Sequence, residues 1–343
     1  MQTQWGKSLD PLNVLPEYPR PQLVRDSFLS LNGYWDYCIT KTPEMPAAFD
    51  GRILVPFSPE SELSGVSRTL SPTETLWYRK DLTLPEDFRN GRTLLHFGAV
   101  DQEATVYLNG ALVLTHKGGF TPFTVELTPF VKEPITILIR VTDSTETSGH
   151  ARGKQSSKRG GIWYTPQSGI WQTVWIENVP ADYIEALRIT PDYDKESVRI
   201  TIHSERDLPA TITLNEQDYS AKTNTAAAIP MPGFRSWSPE DPYLYPLTIR
   251  LGTDLVQSYF GMRKFSVEPD SKGIPKLFLN NRPYFHNGLL DQGYYPDGLL
   301  TAPSDEAMIN DIHKAKDMGF NMLRKHIKIE PLRWYYHCDR LGM

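Results

Sequence analysis

A few side chains in this sequence could bind a polar ligand. Arg324 and His326 stand two residues apart at the end of a predicted strand, so they share a face if the strand continues. Asp291 and Gln292 combine a carboxylate acceptor with an amide that both donates and accepts, a set that can hold a ligand's hydroxyl groups. Trp163 and Tyr164 each offer a flat apolar face with a polar tip and flank a polar loop, where a sugar ring could stack on them. Trp171 and Trp175 share a strand face by period two and are expected to pack in the core. Plainer readings stand beside these: a structural salt bridge for Arg324 and a solvated loop carboxylate for Asp291. Asp305-Glu306 reads as helix-start chemistry only. Asp101 and Glu103, on one strand face, read as solvated or paired. Lys154, Lys158 and Arg159 read as a mobile basic face. No phosphate-cradling glycine loop, Ser-His-Asp arrangement or metal-ligand cluster stands out.

The elements that must position these residues change character along the chain. Residues 1–180 read as strands. Ala104-Thr105-Val106-Tyr107-Leu108, then Asn109-Gly110, then Ala111-Leu112-Val113-Leu114 is a strong hairpin signal, because Asn-Gly readily takes the positive φ of a primed turn. An Asn32-Gly33 turn precedes the aromatic run Tyr34-Trp35-Asp36-Tyr37, and residues 135–141 form a β-branched strand. A jelly-roll sandwich is the economical reading. Residues 144–160 interrupt it with a long polar loop of the kind that is usually functional or mobile. Residues 181–267, with short alternating strands and no paired cysteines, suit an immunoglobulin-like sandwich. From 268 the pattern turns α/β. A hairpin through Asn280-Asn281 leads into a strand, with residues 286–293 following it. Ser304 caps a helix with apolar Met308, Ile312 and Ala315. Gly319 ends that helix before a strand over 320–324, and Pro331 opens a second helix with Trp334, Cys338 and Leu341 on one face. This is the start of a parallel α/β fold, and two such units cannot close a (β/α)₈ barrel of roughly 250 residues. The chain is therefore expected to end inside a domain. Its residues 268–343 are expected to be the least stable part, with an apolar face that could pair two copies.

Composition narrows the classes. The chain has 343 residues, 39% hydrophobic and 22% charged, with 28 prolines, 8 tryptophans and 17 tyrosines. That profile suits globular sandwiches with proline-rich turns. A net charge of −5 argues against a nucleic-acid partner. No apolar run reaches membrane-spanning length and no secretory leader is visible. Cys38 and Cys338 form neither a disulfide framework nor a metal spacing, so a cytoplasmic setting is expected.

Read in order, the sequence resembles glycoside hydrolase family 2, the β-galactosidases, β-glucuronidases and β-mannosidases. The resemblance rests on Ser30-Leu31-Asn32-Gly33-Tyr34-Trp35, on Trp77-Tyr78-Arg79-Lys80-Asp81-Leu82 and on Leu95-His96-Phe97-Gly98-Ala99-Val100-Asp101. It continues through Val106-Tyr107-Leu108-Asn109-Gly110, His116-Lys117-Gly118-Gly119-Phe120-Thr121-Pro122-Phe123 and Ser168-Gly169-Ile170-Trp171-Gln172-Thr173-Val174-Trp175. Further on come Trp237-Ser238-Pro239-Glu240-Asp241-Pro242-Tyr243-Leu244-Tyr245, Phe260-Gly261-Met262-Arg263, Asp317-Met318-Gly319-Phe320-Asn321-Met322-Leu323-Arg324 and Cys338-Asp339-Arg340-Leu341-Gly342. The resemblance implies a jelly-roll sugar-binding domain (1–180), an immunoglobulin-like domain (181–267) and the start of a catalytic barrel (268–343). It implies retaining hydrolysis of terminal β-glycosides by two glutamates, neither of which falls within this chain. The one Asn-Glu pair, Asn215-Glu216, lies in the second sandwich. The family often lines its sugar subsite with an arginine at the position of Arg324. Its usual histidine comes three residues later, where this chain has Ile327, with His326 just before. Some family β-galactosidases carry an aspartate near Trp163, and no acid stands there. No cofactor is expected in this chain, although Mg²⁺ or Na⁺ could serve the full-length enzyme. The expected partner is a carbohydrate, with no nucleic acid or membrane and with a homo-oligomer open. The alternative reading is a non-catalytic carbohydrate-binding sandwich protein.

Overall fold

Local chemistry makes the hairpin at residue 109. Asn109 (φ 48°) and Gly110 (φ 83°) take the left-handed turn that joins Glu103–Leu108 to Ala111–Lys117. The computed structural model describes residues 1–132 and 134–343. The hairpin lies at one edge of a six-stranded antiparallel sheet ordered Gly51–Val55, Gly33–Thr40, Thr75–Leu82, Ile135–Thr142, Glu103–Leu108, Ala111–Lys117. Ile135–Thr142 sits inside this sheet and buries residues on both faces, as its β-branched run suggests. The opposing sheet is Phe28–Ser30, Val174–Val179, Arg92–Phe97, Phe123–Glu126. Trp35, Tyr78, Phe97, Val106, Ile139 and Ile176 fill the space between the two sheets. The Asn32-Gly33 turn does not make a hairpin, because the strands on its two sides belong to opposite sheets.

The second sandwich stacks Ala186–Asp192, Ser197–His203, Ala227–Pro230 on Gln217–Lys222, Pro209–Leu214, Tyr245–Leu251, Asp254–Phe260. Val198, Ile200, Ile212, Ile249 and Val256 form its core. The fold is thus mainly β, and both cysteines are free and buried.

The α/β part begins with a hairpin of Phe265–Pro269 and Pro275–Leu279, so a strand runs across the boundary expected at 267. Gly288–Asp291 then pairs in parallel with Met322–Lys325 through the helix Asp305–Asp317. Ser304 Oγ accepts from Ala307 N at 3.2 Å, giving the expected cap. The second helix is Leu332–Leu341, with Pro331 as its cap residue instead of its first residue. Met308, Ile312, Trp334 and Cys338 seal the two helices together. One expectation needs correction: the first parallel strand is Gly288–Asp291, so residues 286–293 contain it, and Asp291 is its last residue.

The first residues form a strap that the sequence does not announce. Thr3 donates to Asp297 through N and Oγ1, both at 2.7 Å, and Trp5 packs on the helix pair. Leu23 enters the second sandwich's core. The strap meets both sandwiches at Glu177. This carboxylate accepts from Tyr18 Oη (2.5 Å), Arg20 Nη2 (2.5 Å), Arg25 Nη1 (3.1 Å) and Trp175 Nε1 (2.8 Å). Arg25 also grips Asp254 through two bonds of 2.8 Å. Burial works to raise the Glu177 carboxyl, but the charges of Arg20, His96 and Arg25 outweigh it and bring it down to about 2.

Candidate active-site wall

The long polar loop is rooted before it projects. At its root lies a closed polar cluster. Asp101 is 2% exposed, and its Oδ2 accepts from Gln155 Nε2 at 3.0 Å. Asp101, expected with Glu103 to be solvated or paired, is instead buried against an amide, whereas Glu103 does pair at the surface with Lys117 and His150. Gln155 Oε1 accepts from Gln167 N (2.5 Å), and Gln167 Oε1 accepts from Leu300 N (2.9 Å), which ties the loop to the α/β part. Asp143 Oδ2 accepts from Ser168 Oγ (3.0 Å), while Glu60 holds Leu70 N (3.1 Å) and Ser168 N (3.0 Å). Burial raises all three carboxyls, Glu60 to about 7 and Asp101 well above its ordinary range, with Asp143 adding to the rise at Asp101.

From this root the loop crosses to the ends of the parallel strands. Gly153 has φ 63°, and a Cβ there would come within 2.7 Å of Ile327 O, so only glycine permits this close approach. Tyr164 stacks on Tyr294 with ring centres 4.6 Å apart and donates its hydroxyl to Gln292 Oε1. Gln292 Nε2 lies 2.9 Å from His326 Nδ1. Tyr164, Gln292 and His326, each picked out in the sequence for sugar contact, therefore form one chain of hydrogen bonds between a sandwich loop and the ends of the parallel strands. Because the amide donates to Nδ1, the His326 ring keeps Nε2 free to donate.

The remaining candidates separate. Arg324 is exposed on Met322–Lys325, next to exposed Leu290 on the paired strand. By strand alternation it lies on the face opposite Lys325. Asp291 is occupied on that other face: its Oδ2 pairs with Lys325 Nζ at 2.6 Å, and its Oδ1 accepts from Gly293 N at 2.8 Å. Lys325 also meets Glu330 (2.7 Å) and the face of Trp334 (4.2 Å), and Lys328 closes the cluster on Glu330 (2.8 Å). Asp291 is thus part of a charged lock against the second helix. Trp163 stands at the loop tip, 40% exposed. Trp171 and Trp175 are buried as expected: Trp171 packs with Phe120 and with Leu300 of the α/β part, and Trp175 stacks on His96 of the paired strand.

Asp305 does more than begin a helix: it is buried, accepts from Arg333 Nε (2.7 Å) and Arg333 Nη2 (2.6 Å), and lies 2.9 Å from His337 Nε2. Burial opposes its charge, but these partners hold it well below the usual carboxylate range. Arg333 reaches on to Tyr18 O at 3.1 Å, so the strap is fixed here too. Among the described residues, no group of three or more His, Cys, Asp or Glu is placed to hold a metal ion. No helix there is long and apolar enough to cross a membrane.

Comparison with known proteins agrees with this architecture. Residues 55–169 match the family model described as glycosyl hydrolase 2 galactose-binding domain-like, and residues 183–263 match the model for glycosyl hydrolases family 2. A putative beta-glucuronidase of Formosa agariphila is 27% identical over 302 residues, covering 78% of this chain and 34% of that protein. A beta-galactosidase of Thermoanaerobacter pseudethanolicus is 24% identical, covering 78% of this chain and 38% of that one. The chain thus spans little more than a third of the length of these relatives. Among solved structures, the Dictyoglomus thermophilum beta-D-glucuronidase superposes with a TM-score of 0.76 at 22% identity, over 95% of this chain and 58% of that one. The Faecalibacterium prausnitzii beta-glucuronidase gives 0.73 at 23%, over 95% and 60%. Its two successive domain matches and its relatives agree that the chain belongs to glycoside hydrolase family 2.

Proposed function

We propose that this chain is the N-terminal part of a retaining glycosidase that acts on terminal β-glycosides, a β-galactoside or a close relative. In this reading residues 1–180 carry the sugar-binding sandwich, 181–267 the second sandwich and 268–343 the start of the catalytic barrel. The observation that carries the reading is the Tyr164–Gln292–His326 chain, which joins a sandwich loop to the strand ends where barrel active sites form. His326 Nε2, Arg324 and Tyr164 at the loop's inner end would hold the terminal sugar's hydroxyls. Bond cleavage would need two carboxyl groups about 5–5.5 Å apart, one to protonate the leaving oxygen and one to attack the anomeric carbon. The raised-pKa carboxyls Asp101 and Asp143 do not serve, because both are sealed inside the first sandwich away from those strand ends. Both catalytic acids would come from later barrel strands, so residues 1–343 alone would be inert.

The test is hydrolysis of aryl β-galactosides and β-glucuronides by the product of the complete reading frame and by the 343-residue chain. The expected result is turnover by the first and none by the second. A complete reading frame that encodes no further barrel units would instead favour a non-catalytic carbohydrate-binding protein.

A further inference from the structure

The loop tip carries groups that the sugar-binding wall does not use. Gly160 and Trp163 close a tight turn with reciprocal backbone bonds of 3.0 Å each, so the tip has a defined shape. On it Ile162 is 62% and Trp163 40% exposed. Exposed apolar surface on a firmly held turn calls for a partner, and an indole suits the face of a sugar ring. Lys158 and Arg159 immediately precede Gly160 in the same turn, and both are exposed. The acids at the loop's base are already engaged, Glu103 with Lys117 and His150 and Glu146 with Ser157. Among the described residues, neither Lys158 nor Arg159 then pairs with a carboxylate. In a chain with net charge −5, two unpaired cations next to an exposed tryptophan form a local reversal of sign. The tip also stands beside the wall. Tyr164, the residue after Trp163, belongs to that wall through its bond to Gln292. Tyr294 in turn stacks on Tyr164.

We infer that Lys158, Arg159 and Trp163 form a second saccharide site, outside the terminal-sugar wall, that binds an anionic sugar unit of the substrate. Trp163 stacks on the ring, and Lys158 and Arg159 pair with its carboxylate or sulfate. The guanidinium of Arg159 can engage either anion through two parallel bonds. The inference rests on the glycosidase reading for its placement, and its substrate class is an acidic oligosaccharide instead of a neutral one.

The experiment titrates the 343-residue chain with three tetrasaccharides, one of uronates, one of sulfated galactose and one of neutral galactose. It follows the Trp163 indole resonance and those of His326 and Gln292. One or both acidic probes should shift the Trp163 indole and bind about tenfold more tightly than the neutral one, with affinity falling as salt is raised. A preference for one of them tells uronate from sulfate. The Lys158→Ala/Arg159→Ala variant should lose about tenfold in affinity for the acidic probes and keep its melting temperature, since both side chains are exposed. Trp163→Ala should lose binding of all three probes at the tip. Equal binding of neutral and acidic probes, unchanged affinity in the double variant, or a silent indole would each overturn the inference. So would a dimer held through the tip that Trp163→Ala dissolves without any sugar effect. A silent indole with moving His326 and Gln292 would overturn it while leaving the glycosidase reading intact.

Discussion

The first sandwich and the α/β part use the same kinds of residue to opposite ends. The sandwich closes on itself: both sheets face a dry core, and its carboxyls Asp101 and Asp143 are sealed inside. The α/β part is covered on its helix side only, where Trp334 and Met308 pack. Its other side leaves Leu290 57% and Phe285 83% exposed, with Arg324 among them. Charge follows the same division. On covered faces it is paired and structural, as at Glu177, Asp305 and Asp291. On the open face and at the loop tip it is unpaired and free to meet a ligand. Burial, more than residue type, thus separates the locks from the candidate ligand contacts.

The largest effect should come from breaking the lock between strap and sandwiches. Glu177→Ala leaves buried Arg25 and half-buried Arg20 without their shared partner and should cost about 4 kcal/mol, read as a lowered melting temperature. Because the Glu177 carboxyl is depressed to about 2, its contribution is present above its ordinary 4.5 and is lost as pH falls from there toward 2. An unchanged melting profile would remove Glu177 from the account.

Asp305→Ala should cost about 3 kcal/mol, and the loss should appear in the α/β part first. Limited proteolysis should then cut within 288–343 while the sandwiches persist. In the unmodified chain, amide exchange should already be fastest in Gly288–Asp291 and Met322–Lys325, whose open face lacks cover. Uniform protection across the whole chain would erase the contrast between the two regions.

A smaller effect belongs to Glu60. Its folded carboxyl is raised from 4.5 to about 7, so between those values the unfolded chain releases its proton first. Stability from this group is therefore full below about pH 4.5 and declines as pH rises to about 7. Glu60→Gln should flatten that decline and should be the more stable protein at pH 8. The smallest effect is Tyr164→Phe, which should change stability by less than about 0.5 kcal/mol because it removes one half-buried hydroxyl.

Much of the fold was legible because its signals are local. Asn109-Gly110 writes its own turn, Ser304 its own cap, and Ile135–Thr142 its own burial. The site was legible in part. Tyr164, Gln292 and His326 could be chosen by chemistry, but their meeting joins residues 128 positions apart in sequence, which no periodicity reveals. Asp291 was misplaced because the strand begins at Gly288, after a two-residue hairpin arm that reads as a strand itself. Asp305 and Glu177 were missed for a different reason. Their roles depend on Arg333, His337, Arg20 and Arg25 arriving from other elements, and a single carboxylate in a sequence carries no mark of that. The strap was illegible too, since Thr3 and Leu23 gain meaning only against Asp297 and the second sandwich.

The claim most in need of a direct check is that loop and strand ends form one sugar-binding wall. Nuclear magnetic resonance of the 343-residue chain, titrated with methyl β-galactoside and methyl β-glucuronide, reads the Gln292 side-chain amide and the His326 ring together. The account predicts that at least one glycoside moves both signals along a single binding curve, and that Tyr164→Phe weakens that curve about threefold, one hydrogen bond's worth. Gln292 and His326 signals that stay fixed while a glycoside binds elsewhere on the chain would contradict it.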